Sequence, residues 1–164
     1  GAAFPYTGSA EITGSLKVIG QAEFASNPNS DVTNTSIGTE ALQSVGASTL
    51  GTTAIGYRAG KSIVNGSAGG YHTLIGWQNG QNINDTSYYT VGVGAYTLQN
   101  LTSGRDNTAV GTTAGASLTT QSGNALFGKQ AGISLIGAEN TIIGRLAGQN
   151  LTSANKNRIN KHIS

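Results

Sequence analysis

The strongest constraint on this chain is that it repeats itself seven times with its columns locked. Taking as anchor the glycine that closes each Thr- and Ile-rich phrase, the copies fall at Gly38, Gly56, Gly76, Gly94, Gly111, Gly128 and Gly144, spaced 18, 20, 18, 17, 17 and 16 residues apart. Just before each anchor stand Ile37, Ile55, Ile75, Val93, Val110, Phe127 and Ile143, and three before it Thr35, Thr53, Thr73, Val91, Thr108, Ala125 and Thr141. Three after it, Ala41, Ala59, Ala114, Ala131 and Ala147 share a column with Asn79 and Thr97. Seven after it come Val45, Ile63, Ile83, Leu101, Leu118, Leu135 and Leu151. Such self-similarity is the mark of stacked units, each needing its neighbours to bury an apolar side.

Phrases such as "TTAI", "NTAV" and "NTII" are short, rich in Thr and β-branched residues and closed by glycine, which predicts a strand followed by a bend. The second half of each copy, ending at the Leu/Ile column, reads as a second short strand. A helix is disfavoured because every window with apolar residues at helical spacing contains a glycine. The anchor glycines supply corners where φ is positive. The expected fold is all-β, a parallel β-solenoid (β-roll) of about seven coils, stacked at about 4.8 Å.

Alternation along a strand places the Thr and Ile/Val/Phe columns on one face and the column between them on the other. With the bulky columns assigned to the interior, Ser36, Ala54, Leu74, Gly92, Ala109, Leu126 and Ile142 form an outward row of small or apolar residues. Each coil has few large apolar side chains to set against the entropy of ordering it. A partner chain covering the outward row answers both points, and a homotrimer would do so on every subunit.

Composition removes other classes. The 25 glycines among 164 residues show no period of three, so this is not collagen. Recurrent apolar clusters and a net charge of only +2 argue against a disordered linker. There is no cysteine, and no apolar run approaches the roughly 20 residues of a membrane helix. Three segments result. Residues 1–33 are an N-terminal β segment and linker joining an upstream module, 34–153 the repeat solenoid, and 154–164 a polar basic tail without repeat columns.

The pattern N-T-x-[IV]-G-x-x-A-G-x-x-L resembles the repeats of bacteriophage tail fibres. It is also similar to the head repeats of trimeric autotransporter adhesins, whose coils stack as left-handed parallel β-rolls in trimers. The resemblance covers about residues 34–153, and "ITGSLKVIG" resembles stretches that precede such repeats. It implies a fibrous homotrimer that is a structural part of a virion appendage, located on the virion or otherwise at an extracellular surface. Its expected partners are further copies of itself, other virion fibre or baseplate proteins and host surface glycan. Neither nucleic acid nor membrane insertion is expected. The alternatives are an adhesin whose side wall binds glycan and a polysaccharide-degrading spike. An ice-binding solenoid is disfavoured by the breaks in the Thr column at Val91 and Ala125.

Chemistry-bearing residues are sparse. "GYRAGKS" (56–62) resembles a phosphate loop, but three residues separate its glycines where four are needed. His72 and His162 lie in no ligand cluster, so no metal and no cofactor are expected. The seven carboxylates are scattered singly rather than paired as glycan hydrolysis requires, and no enzyme activity is expected. Asn34, Asn65, Asn84, Asn100 and Asn150 head Asn-x-Ser/Thr triplets that read as turn chemistry. One feature stands outside the repeat. Tyr57, Tyr71, Trp77, Tyr88, Tyr89 and Tyr96 cluster between residues 57 and 96, and Tyr57 and Trp77 share the column one after the anchor. That column holds Thr, Lys and Arg elsewhere, so it faces solvent. Tyr57, Trp77 and Tyr96 are the candidate glycan- or partner-binding residues, weighed against a role in covering longer loops.

Overall fold

A computed structural model describes residues 34–44, 51–63, 70–84, 87–153 and 155–160. The N-terminal segment 1–33, Val45, Asn65 and His162 lie outside the described residues. Eight strands of three residues follow one another: β1 (Thr35–Ile37), β2 (Thr53–Ile55), β3 (Thr73–Ile75), β4 (Val91–Val93), β5 (Thr108–Val110), β6 (Ala125–Phe127), β7 (Thr141–Ile143) and β8 (Arg158–Asn160). They form one parallel sheet in sequence order, each pairing with the next, so the chain is a β-solenoid of about seven turns. The register pairs Thr35 with Thr53 and so on to Thr141 with Arg158. Strand β8 thus lies within the segment expected to be a tail without repeat columns.

Two expectations are corrected. The Thr and Ile columns do share a face, but it is the outer one. The middle residues Ala54, Leu74, Gly92, Ala109, Leu126 and Ile142 are buried, whereas Ile37, Ile75, Phe127 and Ile143 are exposed. The interior has no room for the bulkier column. It is already filled by Ile63, Ile83, Leu101, Leu118 and Leu135 from the far side of the coil and by Ala59, Ala114, Ala131 and Ala147. An ideal Cβ at Gly60 would approach Ile63, Leu42 and Leu74 to 2.9–3.0 Å, a measure of how thin the coil is.

The second strand per coil is absent from the described residues, and linked turns take its place. Residues two and four after the anchor have positive φ, as at Arg58 (56°) and Gly60 (57°), while the residue between them does not. This alternation breaks an extended run but keeps successive amides directed along the stack. Arg58 N donates to Thr39 O in the preceding coil (3.0 Å), and Gly60 N donates to Asn79 O in the following one (3.0 Å). Within the coil, Ala59 N donates to Gly56 O and Ile63 N to Gly60 O, closing two turns, of which the first has positive φ at its third residue, Arg58, as type II requires. The column two after the anchor never carries glycine: Glu40, Arg58, Gln78, Tyr96, Thr113, Gln130 and Leu146 all adopt φ between 49° and 61°. Each carries about 1–2 kcal/mol of local strain, offset from Arg58 onward by the bond its amide makes to the preceding coil.

The anchors need glycine for two reasons. Their φ values of 122–138° are closed to side chains. A Cβ at Gly128 would also lie 2.6 Å from the backbone of Gly144, the next anchor in the stack. The residue before each strand forms a further column. Asn107, Asn124, Asn140 and Asn157 build a ladder in which the Asn124 amide and Nδ2 donate to Asn107 Oδ1 (3.0 and 3.1 Å). Asn140 does the same to Asn124, and Asn157 to Asn140. Further back the column holds Asn34, Thr52, His72 and Thr90, and of this group only Asn34 makes the equivalent bond, accepting from the Thr52 amide at 2.8 Å.

Candidate functional site: an aromatic ridge on the rod

The two polar intruders in the alanine column are accommodated rather than disruptive. Asn79 Nδ2 donates to Gly94 O (3.0 Å) and Thr97 Oγ1 to Gly111 O (2.7 Å), so each bonds the anchor carbonyl of the next coil. Asn79 also explains Gly92 in the middle of β4, since a Cβ there would collide with Asn79 Oδ1. The middle of the rod therefore keeps the coil geometry while carrying different side chains.

On its surface, stacking brings Tyr57 and Trp77 together, with ring centroids 4.4 Å apart and planes tilted by 37°. Residues one after the anchor in consecutive coils are placed side by side by the Gln78 N to Tyr57 O bond (2.7 Å). Trp77 is 50% exposed. The next residue in its column is Ala95, too short to cover the indole, and beyond it come Thr112, Lys129 and Arg145, all exposed. Tyr96 lies in the neighbouring column, 37% exposed, its amide donating to Trp77 O (2.8 Å).

Polar groups fringe the rings. The Arg58 guanidinium carbon sits 4.9 Å from the Tyr57 ring centroid, a cation–π contact, and Arg58 Nε donates to Glu40 Oε2 at 2.8 Å. Lys61 Nζ reaches the same oxygen at 2.6 Å. The hydrogen bonds from Lys61 and Arg58 hold the Glu40 carboxyl below its ordinary range, and the bond to Glu40 raises Arg58. Gln99 Nε2 donates to Gln78 Oε1 (3.2 Å), spanning the same pair of columns as Lys61 and Glu40.

A second aromatic group occupies the corner two residues before the strands. Tyr71 and Tyr89 stack with centroids 5.6 Å apart and planes within 16°, both at positive φ and both more than half exposed. Arg105 lies over Tyr88 at 4.7 Å. This corner column was not visible as a column in the sequence, because it runs Gly51, Tyr71, Tyr89, Asp106, Gly123, Glu139 and Lys156. What unites these residues is backbone φ between 52° and 72°, not side-chain type.

His72 is turned inward, 1% exposed, and its Nδ1 has no hydrogen-bond partner. Burial lowers its pKa to about 4, against a smaller opposing effect of a backbone hydrogen bond at Ser87. Among the described residues no three His, Cys, Asp or Glu side chains gather as metal ligands would. Glu40 is engaged by Arg58 and Lys61, and Glu139 lies 3.7 Å from Lys156. The seven anchor glycines stack on one another along the rod. Comparison of the chain with protein-family models, curated proteins and solved structures returned no match.

Proposed function

We propose that this chain is a structural segment of a phage tail fibre or similar virion appendage, a homotrimeric rod that extends toward the host surface and helps attach to it. The observation that carries this reading is the outward row of the sheet. Ile37, Ile55, Ile75, Val93, Val110, Phe127 and Ile143 form an apolar strip in register over seven strands, flanked by the Thr column. At about 4.8 Å per strand, the strip runs the length of the stack, roughly 30 Å. Within the described residues Ile37, Ile75, Phe127 and Ile143 are exposed and Ile55, Val93 and Val110 half-buried, so the strip is only partly covered. Contiguous apolar surface of this kind marks an association site, and threefold closure covers it on every copy without leaving an open end.

Sedimentation equilibrium tests the association. The intact chain should have three times its 16.6 kDa mass, and Val110→Lys, on the outward row, should give a folded monomer. A wild-type chain that is stable and monomeric at micromolar concentration would overturn the trimer. The attachment role is tested by adding the purified chain to susceptible cells, where it should slow adsorption of the virus that carries it.

A further inference from the structure

The column one after the anchor changes character along the rod, from Tyr57 and Trp77 through Ala95 and Thr112 to Lys129 and Arg145. We infer that this column is a binding track for an acidic polysaccharide laid parallel to the solenoid axis. One sugar would lie against the exposed outer edge of Trp77, and carboxylate or phosphate groups further along the chain would meet Lys129 and Arg145.

Four observations point the same way. Trp77 packs against Tyr57 and keeps half of its surface exposed beside the short Ala95, which leaves an apolar indole shelf open to solvent. Beside the shelf, the paired carboxamides of Gln78 and Gln99 offer both donors and acceptors, the complement of vicinal hydroxyls. Lys129 and Arg145 are exposed and make no ion pair among the described residues, unlike Arg58 and Lys61, whose charges Glu40 already answers. Finally, the coils repeat at about 4.8 Å, close to the length of one sugar residue, so a chain of sugars keeps step with the column.

A protein partner fits this track less well. The column is one residue wide, whereas a stable protein interface takes roughly 800 Å² and about 20–30 residues on each side. The rings are also dispensable to the coil, since Thr, Ala, Lys and Arg occupy the same position in other turns. The inference rests on the appendage reading for where such a polymer would be met, while the chemistry of the track belongs to each chain alone.

Trp77 is the only tryptophan, so its fluorescence reports the shelf directly. The chain is titrated with hexagalacturonate as acidic probe and maltohexaose as neutral probe, with sedimentation run on the same samples. The acidic probe should shift Trp77 emission saturably and bind more tightly than the neutral one. By calorimetry, Trp77→Thr should weaken it by about tenfold. The pair Lys129→Thr with Arg145→Thr should weaken the acidic probe comparably and leave the neutral probe unchanged. Equal binding of both probes, insensitivity to the Lys129 and Arg145 changes, or no response to either probe would each overturn the track. So would emission that shifts only with protein concentration, which would show the ring covered by a second copy. Failure of the track with a trimeric mass leaves the rod reading intact. A monomer that still binds the acidic probe separates the two in the other direction.

Discussion

The two halves of the rod share one coil geometry and differ in what holds it. From Asn107 onward, the strands register at spacings of 17, 16 and 17 residues (Thr108 to Ala125 to Thr141 to Arg158). There the pre-strand column is an unbroken Asn ladder, in which every internal carboxamide bonds both neighbours. Before it the spacings are 18, 20, 18 and 17 (Thr35 to Thr53 to Thr73 to Val91 to Thr108), and the column reads Asn34, Thr52, His72 and Thr90. Thr52 Oγ1 and His72 Nδ1 are buried there without partners. The aromatic rings sit on this less regular half. Periodic polar bonding stabilises the distal coils, whereas the proximal coils forgo it and carry the varied surface.

The largest expected effect ignores this division and serves as its control. Gly56→Val and Gly128→Val each force a side chain into a positive-φ site facing the backbone of the next anchor. Each should cost roughly 3 kcal/mol or more, from about 1–3 kcal/mol of backbone strain plus displacement of the neighbouring coil. Denaturant melts should show similar losses in the two halves. If either variant melts like the parent, the anchors are not corners.

The ladder should then divide the halves. Asn124→Ala removes the acceptor of the Asn140 amide and Nδ2 and the donor to Gly137 O (3.1 Å). At about 1–3 kcal/mol per orphaned buried group, a loss of roughly 3 kcal/mol is expected. Thr90→Ala loses only contacts at 3.4 Å, to Ser87 Oγ and Tyr88 O, and should cost about 1 kcal/mol or less. Equal losses would remove the distinction.

Acid should act through the proximal half. His72 is neutral when folded, with a pKa lowered from 6.5 to about 4, so the unfolded chain binds the extra proton. Its contribution is therefore full above pH 6.5 and lost as the pH falls toward 4. At 1.36 kcal/mol per pH unit the loss amounts to roughly 3 kcal/mol. His72→Thr, matching Thr52 and Thr90 in the column, should flatten the stability profile over that window, and an unchanged profile would count against a buried neutral ring. A small effect is also expected at the ridge. Trp77→Thr gives up one aromatic pair and should cost only about 0.5–1.5 kcal/mol, with the rod still folded.

Much of this architecture is legible in the residues themselves. The seven anchored phrases, five of them Thr-x-[Ile/Val], coincide with β1 to β7, because short β-branched runs closed by a glycine leave few other options. The sense of the faces is not legible from alternation alone. Size suggested that Ile75 should be inside and Leu74 outside, and only the volume already taken by Ile83 and Ala59 reverses it. The missing second strand has a similar cause, since positive φ at Arg58 or Leu146 leaves no trace in residue type. The Asn ladder did leave one, in the Asn before Thr108, Ala125, Thr141 and Arg158, and that same Asn marks β8 in a stretch whose basic composition hides the repeat. On the ridge, the shared column of Tyr57 and Trp77 was readable. The amide pair Gln78–Gln99 and the Glu40 cluster were not, since both join residues 21 apart through the stack.

Residue-resolved hydrogen exchange under native conditions tests the contrast between the halves most directly. The amides of Asn124 and Asn140, donated to the ladder, and of Ala125 and Thr141 beside them should exchange slowest, at the free energy of global unfolding. Those of Thr53 and Thr73, whose strands follow Thr52 and His72, should open earlier. Uniform protection along the rod, or slowest exchange at Thr53 and Thr73, would contradict the account.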